Sequence, residues 1–538
     1  MPIINRRRLI QGAAASVTAL AGGTALPGPA PAFAAGTASG SATGATVTPA
    51  DPRYPLLTTG NNQRFVAAPD YIKMIRSAAD AASAVKAAFS AGKRVSVRSG
   101  GHCFTDFVCN PEVEVILDCS EMTSVGYDET KRAFFVEPGA RLLQVYEALY
   151  KGWGVTLPGG VCYGVGAGGH IAGGGYGLLS RRNGLVADHL YAVEVVTVDA
   201  AGTTRIVTAT READDANRDL WWAHTGGGGG NFGVVTRYWL RSPNATGTAP
   251  ETQLVSPPSH VLTHIQSIPW SELDEAKFKR LVKNFGAWFE ANSAPNSPYR
   301  YLSGILNVYS TAASGLNLVT QVDADIPGAQ QLLDDYLKAV LDGVTTTRAP
   351  ARKLPWLQAT QLLGTINATL NDPTLRGAHK SAYLRTNFTD AQLAALYASM
   401  SRPDYRNPRA MLVLFSFGGQ VNAVSPDATA VPQRSSVIKM LYQTLWTRSE
   451  EDATHLAWLR DLYGNVHAAT GGVPGLDGQT DGCYINYPDT DMADPSINTS
   501  GIPWQTLYYK GSYARLQRIK KKYDPSNYFR HSMSIKPA

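Results

Sequence analysis

The sequence predicts an α+β protein in two parts, and three observations carry this. Short apolar strands alternate with amphipathic helices up to about Leu240. A Pro-, Ser- and Thr-rich stretch over 242–260 then interrupts the pattern. Beyond it a second set of helices and strands begins and closes on a basic helix at 509–522, before Asp524-Pro525.

The 538 residues have room for two or three domains. Apolar residues make up 44%, enough for a full core, and charged residues only 17%, below the roughly 25% of ordinary soluble proteins. The 51 glycines foretell loops and close backbone approaches. Net charge is +6, but Arg6, Arg7 and Arg8 lie in a segment expected to be removed. The remaining bias is too weak to argue for nucleic acid or an anionic membrane.

Residues 1–34 read as a twin-arginine signal peptide. Arg6-Arg7-Arg8-Leu9-Ile10 is followed by a small-residue apolar stretch, Gly12 to Leu26, and by Ala32-Phe33-Ala34 as a cleavage site. The apolar stretch is about 15 residues, short of the roughly 20 that span a bilayer, so secretion is expected and no membrane span. Residues 35–55, opening on Ala, Gly, Ser and Thr, read as a flexible leader.

In chain order, Asp70 to Phe89 has helical periodicity and Arg94 to Arg98 alternates as a strand running into Ser99-Gly100-Gly101. Val113 to Asp118 and Phe134 to Glu137 are strands, and Leu142, Val145 and Leu149 begin a helix. Leu190 to Val198 and Thr203 to Thr208 form a hairpin around 199–202. After the Pro-rich stretch, Phe278 to Phe289 is an amphipathic helix. Strands follow at 300–309, 316–322 and 410–417, with helices at 329–341 and 451–468.

The densest chemical signal is the glycine-rich run from Leu157 to Gly177 around Cys162 and His170. Such a run bares backbone N–H groups, which is how a pyrophosphate is cradled. Gly164, Gly166 and Gly169 form a G-x-G-x-x-G. No apolar strand leads in, however, and glycines continue where a helix should start, which rejects a Rossmann turn. A linker would carry polar residues in place of Val165, His170 and Ile171. Arg98-Ser99-Gly100-Gly101-His102-Cys103 is a strand end, a glycine turn and a reactive side chain, with Asp106 just beyond. A zinc site at His102 and Cys103 is disfavoured, because adjacent residues diverge and no CxxC or HxxxH occurs.

Five cysteines is an odd number for an exported protein. Cys162 is the natural unpaired one, and Cys103 with Cys109 is a conceivable pair. Tyr484-Ile485-Asn486-Tyr487 is a dense aromatic segment that reads, taken alone, as a core strand. The glycine run 226–230 before Val234-Val235 reads as backbone approach to a ligand or as a plain loop.

Together these segments resemble the berberine bridge enzyme-like FAD-linked oxidases, of the vanillyl-alcohol oxidase fold. The likeness is close over 58–240 and again over 480–535, and the W-W-A-H-T-G-G-G-G-G run resembles the bacterial aclacinomycin and tirandamycin oxidase subgroup. It implies a two-part FAD-binding domain at 56–242, a substrate-binding domain at 243–500 with an antiparallel sheet backed by helices, and a return to the first domain at 501–538. It further implies FAD bonded covalently to His102 and Cys162. Arg98 to Cys103, Asp106, Gly164, Val165, Gly166, Gly169, His170, Gly173, Gly174, Gly177, Val235 and Asn527 would lie about the cofactor. Tyr487 would be the general base, with Tyr484 beside it. Where the subgroup places a second tyrosine before G-G-x-x-N, this chain has Phe417.

The activity implied is hydride transfer from a hydroxyl-bearing carbon of a secreted natural product to flavin N5, giving a ketone and hydrogen peroxide. Its partners would be that alcohol and molecular oxygen, in a monomer or weak homodimer. The alternatives are a carbohydrate oxidase forming a lactone at a sugar C1, and a flavin-binding protein without catalysis.

Overall fold

In the computed structural model, which describes residues 44–366 and 371–538, the chain builds three sheets. The expected signal peptide at 1–34 lies outside the described residues. The first sheet holds β1 (Thr46–Val47), β2 (Tyr71–Met74), β3 (Val95–Arg98) and β4 (Val115–Asp118), in the order β1-β2-β4-β3. β2 and β3 flank β4 in parallel.

Two expectations are corrected here. The leader expected over 35–55 is cut short, because Thr46 and Val47 pair with Lys73 and Ile72 and Val47 is fully buried. A single valine among small residues completes the sheet edge, which composition alone hides. The helix expected from Asp70 begins instead at Ala78, since Tyr71–Met74 is a strand. Ser77 sets the boundary: its side chain accepts a hydrogen bond from the Asp80 N–H at 3.1 Å, satisfying a donor that the first turn leaves open.

The second sheet is antiparallel, with β5 (Val125–Asp128), β6 (Ala133–Val136), β7 (Leu190–Val198), β8 (Thr204–Thr210) and β9 (Val234–Leu240) in the order β5-β6-β9-β7-β8. The hairpin around 199–202 and the helix Leu142–Trp153 fall where the sequence puts them. Gln253 and Leu254, in the stretch expected to be a linker, are buried, and Val255 bridges to Thr156.

The third sheet is antiparallel, with β10 (His260–Pro269), β11 (Leu302–Tyr309), β12 (Gly315–Asp323), β13 (Arg352–Pro355), β14 (Arg376–Leu384), β15 (Ala410–Ser416) and β16 (Ile438–Trp446) in the order β13-β10-β12-β11-β15-β16-β14. Helices at Glu275–Ala291, Ala329–Val340, Asp390–Met400 and Asp452–Val466 accompany it. The first of these buries Phe278, Leu281, Val282, Phe285 and Phe289. On β16, Tyr442 and Thr444 face His467 and Tyr405. Lys439, Leu441 and Gln443 alternate to the other face.

Strand register makes that second face a set of rows. Tyr383, Lys439, Phe415 and Ile305 lie side by side, then Ser381, Leu441, Val413 and Asn307, then His379, Gln443, Met411 and Tyr309. The C-terminal segment packs back on the first part of the chain. Fully buried Lys520 donates to the Asn231 and Phe529 carbonyls and pairs with Asp524 at 2.6 Å. All five cysteines are free thiols, so Cys103 and Cys109 are not paired. Cys109 packs with Val47 and Ile116 in an apolar cluster.

Candidate active site

A cleft with about 2760 Å³ of empty space, its open mouth included, runs between the glycine loops and the rows of the third sheet. β3 delivers the first loop. Arg98 ends the strand, pairs with fully buried Asp118 at 3.5 Å and donates to the Leu57 carbonyl. The Ser99 hydroxyl donates to the Pro138 carbonyl at 2.5 Å, and His102 follows on the cleft wall. Burial, with help from Arg141, lowers the His102 pKa to about 4, so the imidazole is neutral at physiological pH.

The second loop carries Cys162 to the same cleft. Its thiol donates to the Asn371 side-chain oxygen at 3.2 Å, and burial raises its pKa. The two loops are pinned backbone to backbone. A Cβ on Gly100 would come within 2.3 Å of the Gly166 nitrogen, and one on Gly166 within 2.3 Å of the Gly100 nitrogen. No other residue allows this approach.

These surroundings fit a flavin dinucleotide. A Cβ on Gly169 would meet nothing within 4 Å, and one on Gly229 would first meet the Gly169 Cα at 4.0 Å, so two bare backbones face open space. The buried Nε2 of His531, on the cleft wall, has no hydrogen-bond partner. Bare N–H groups and an unspent ring nitrogen suit phosphate oxygens.

The cleft also holds a cluster of tyrosines around one lysine. The hydroxyls of Tyr487 and Tyr176 share a hydrogen bond of 2.6 Å. The Tyr484 hydroxyl accepts from the Gly175 N–H and from the Asn486 amide, both at 3.1 Å. Lys439 is fully buried, and its Nζ has no hydrogen-bond partner. It lies 2.9 Å from the Tyr484 ring centroid, 3.3 Å from that of Tyr176 and 4.9 Å from that of Tyr487. Burial lowers the lysine pKa well below its ordinary value and raises that of Tyr487, while the Tyr176 hydrogen bond draws Tyr487 back down. Ring faces attract a cation, so the cage holds whatever positive charge Lys439 carries.

Residues 69–208 match the FAD binding domain family, and 483–536 match the family described as berberine and berberine like. Aclacinomycin-N/aclacinomycin-A oxidase of Streptomyces galilaeus is 48% identical over 99% of this chain and 98% of its own length. The chain belongs to the berberine bridge enzyme-like FAD-linked oxidases. The crystal structure of a flavoenzyme of caerulomycin biosynthesis is 50% identical, covers 92% of this chain and 100% of its own, and superposes with a TM-score of 0.90. A glycopeptide hexose oxidase solved with teicoplanin is 48% identical, with coverage of 92% and 99% and a TM-score of 0.88. This FAD-dependent oxidase is thus an oxidoreductase acting on alcohols.

The oxidase brings most of its sequence-predicted site residues to one cleft. Arg98, Ser99, Gly100, Gly101, His102, Cys103, Cys162, Val165, Gly166, Gly169, His170, Gly177, Val235, Tyr484 and Tyr487 line it. Asp106, Gly164, Gly173, Gly174 and Asn527 do not. Asp106 accepts from Asn110 and Ser532. Gly164, Gly173 and Gly174 face protein, where a Cβ would strike His102, Asn486 and Val431. Asn527 takes a left-handed φ of 53° in the turn after the last helix, its N–H donating to the Asp524 carbonyl at 3.0 Å. Tyr484 to Tyr487 is a turn and not the core strand that its aromatics suggest. Phe417 is buried behind Tyr383 and Tyr176 at ring separations of 5.3 and 6.3 Å and does not line the cleft.

Sequence reasoning missed Tyr176 and Lys439. Tyr176 was in view inside the glycine run, and its tyrosine among glycines was the available signal. Lys439 had one too, a lone cation in an otherwise apolar or uncharged nine-residue strand.

Proposed function

We propose that this enzyme oxidises a secondary alcohol of an extended natural product to a ketone, with FAD held by covalent bonds to His102 and Cys162. The observation that carries the reading is that His102, Cys162 and the Tyr487–Tyr176 hydroxyl pair line one cleft. When bound, FAD would supply the hydride-accepting chemistry and the capacity to pass electrons to molecular oxygen.

The chain's own residues manage the proton. Tyr487 takes the substrate's hydroxyl proton at its phenolic oxygen. Tyr176 turns its hydroxyl hydrogen toward that oxygen when Tyr487 is deprotonated. Lys439 supplies the counter-charge through the ring cage. Leu441, Val413 and Phe415 give the facing sheet an apolar surface that excludes water from the transfer.

The similarity to an aclacinomycin oxidase supports a natural-product alcohol. A second reading, oxidation of a sugar C1 to a lactone, draws on the glycopeptide hexose oxidase. Export by the twin-arginine route is part of the proposal and rests on Arg6 to Ala34. Peroxide release with aclacinomycin N against free glucose separates the readings. Turnover of the first with little of the second is expected. The reverse favours the sugar oxidase, and no release from either under oxygen contradicts both.

A further inference from the structure

The cleft-facing rows of the third sheet differ in how their polar groups are used. The row of Lys439 holds the tyrosine cage, and the next is mainly apolar, with Leu441 and Val413. In the third row Gln443 is fully buried, yet neither its amide nitrogen nor its amide oxygen has a partner. Beside it in register, His379 is 8% exposed with its Nδ1 unpartnered. Both residues line the cleft. A buried amide unsatisfied at both ends is rare, because desolvating it without a hydrogen bond opposes folding. Leu441, Met411 and Leu445 surround Gln443 in register and would pack against a methionine as readily.

We infer that Gln443 and His379 form a recognition subsite for a neutral, hydroxyl-bearing part of the substrate, remote from the carbon that reacts. The geometry sets its distance. Four residues of β16 separate Gln443 from Lys439, about 13–14 Å at a strand's rise. Phe104 bridges the two stations, stacked on His379 at 3.7 Å and on Tyr487 at 5.4 Å. A substrate reaching both is longer than a single sugar ring. It lies over the apolar row and presents hydrogen-bonding groups at its far end.

Charge selects the class. A primary amide offers donors and an acceptor without charge. Burial, with Arg64 nearby, lowers the His379 pKa to about 3, so the imidazole is neutral as well. Paired hydroxyls, or a hydroxyl beside a carbonyl, match this pair better than a carboxylate or an amine would.

The inference rests on the alcohol-oxidase reading, and Gln443→Met tests it separately. Binding of aclacinomycin N is measured calorimetrically without oxygen on enzyme whose flavin has first been reduced, alongside the melting temperature of ligand-free enzyme. The expected result is at least a tenfold weaker Kd for aclacinomycin N and a melting temperature unchanged or raised. His379→Phe, which keeps the stack on Phe104, is expected to weaken the same Kd. Unchanged affinity in both variants, a lowered melting temperature in Gln443→Met or no binding by wild type overturns the subsite. Wild type that binds aclacinomycin N without releasing peroxide contradicts the oxidase reading instead, and the two Kd values still decide the subsite.

Discussion

Tyr487→Phe is expected to lower kcat by roughly 10²–10⁴, the usual contribution of a positioned general base, while the flavin stays bound. The variant keeps the ring that stacks on Phe104 at 5.4 Å and meets Tyr484 edge-on at 5.2 Å, so packing is preserved. It removes the single oxygen that shares the 2.6 Å hydrogen bond with Tyr176. KM should change by less than about threefold, because the lost interaction belongs to proton transfer and not to ground-state binding. Steady-state peroxide release with the flavin absorbance checked on the same sample measures this. Unchanged kcat would remove Tyr487 from the chemistry and leave Tyr176 as the nearest candidate.

Lys439→Met carries the second large effect, and its sign follows from charge. Burial drives the tyrosine and the lysine each toward neutrality, but moving a proton from Tyr487 to Lys439 leaves the cluster's net charge unchanged. The Lys439 Nζ lies 4.9 Å from the Tyr487 ring centroid. At about 5 Å and an effective dielectric of about 20, two unit charges attract by about 3 kcal/mol. Removing Lys439 should therefore raise the ascending limb of the kcat/KM pH profile by about two units and lower kcat roughly 100-fold at neutral pH. A profile that keeps its midpoint would mean the lysine does not govern the base.

The same variant changes stability in the opposite sense. The unfolded lysine binds its proton up to about 10.5, and the folded one releases it well below that. Between those values the unfolded chain binds more protons, so stability rises with pH across the window. This holds whether the remaining proton sits on the tyrosine or the lysine. Lys439→Met should flatten that slope and raise the melting temperature near neutral pH, read from thermal melts across pH.

What the sequence made legible is what is local. The strand end at Arg98, the turn through Gly100 and Gly101, and His102 are contiguous, and all of them line the cleft. The glycine run around Cys162 is equally compact, although Gly173 and Gly174 serve Asn486 and Val431 and not the cleft. Lys439 stands out as a lone cation, but its strand, buried on every residue, shows no alternation to mark which face it takes. Its partners Tyr176 and Tyr484 arrive from loops that are distant from it in the sequence. A motif places Asn527 near the cofactor, and in the structure its backbone takes a left-handed turn while its buried side-chain oxygen has no hydrogen-bond partner.

The most direct measurement is the mass of the denatured polypeptide, taken for wild type, His102→Ala, Cys162→Ala and the double variant. Wild type should be heavier than its chain by one FAD, each single variant should retain that mass, and the double variant should lose it. A wild-type chain that runs at the polypeptide mass and releases its flavin on denaturation would contradict attachment at both residues.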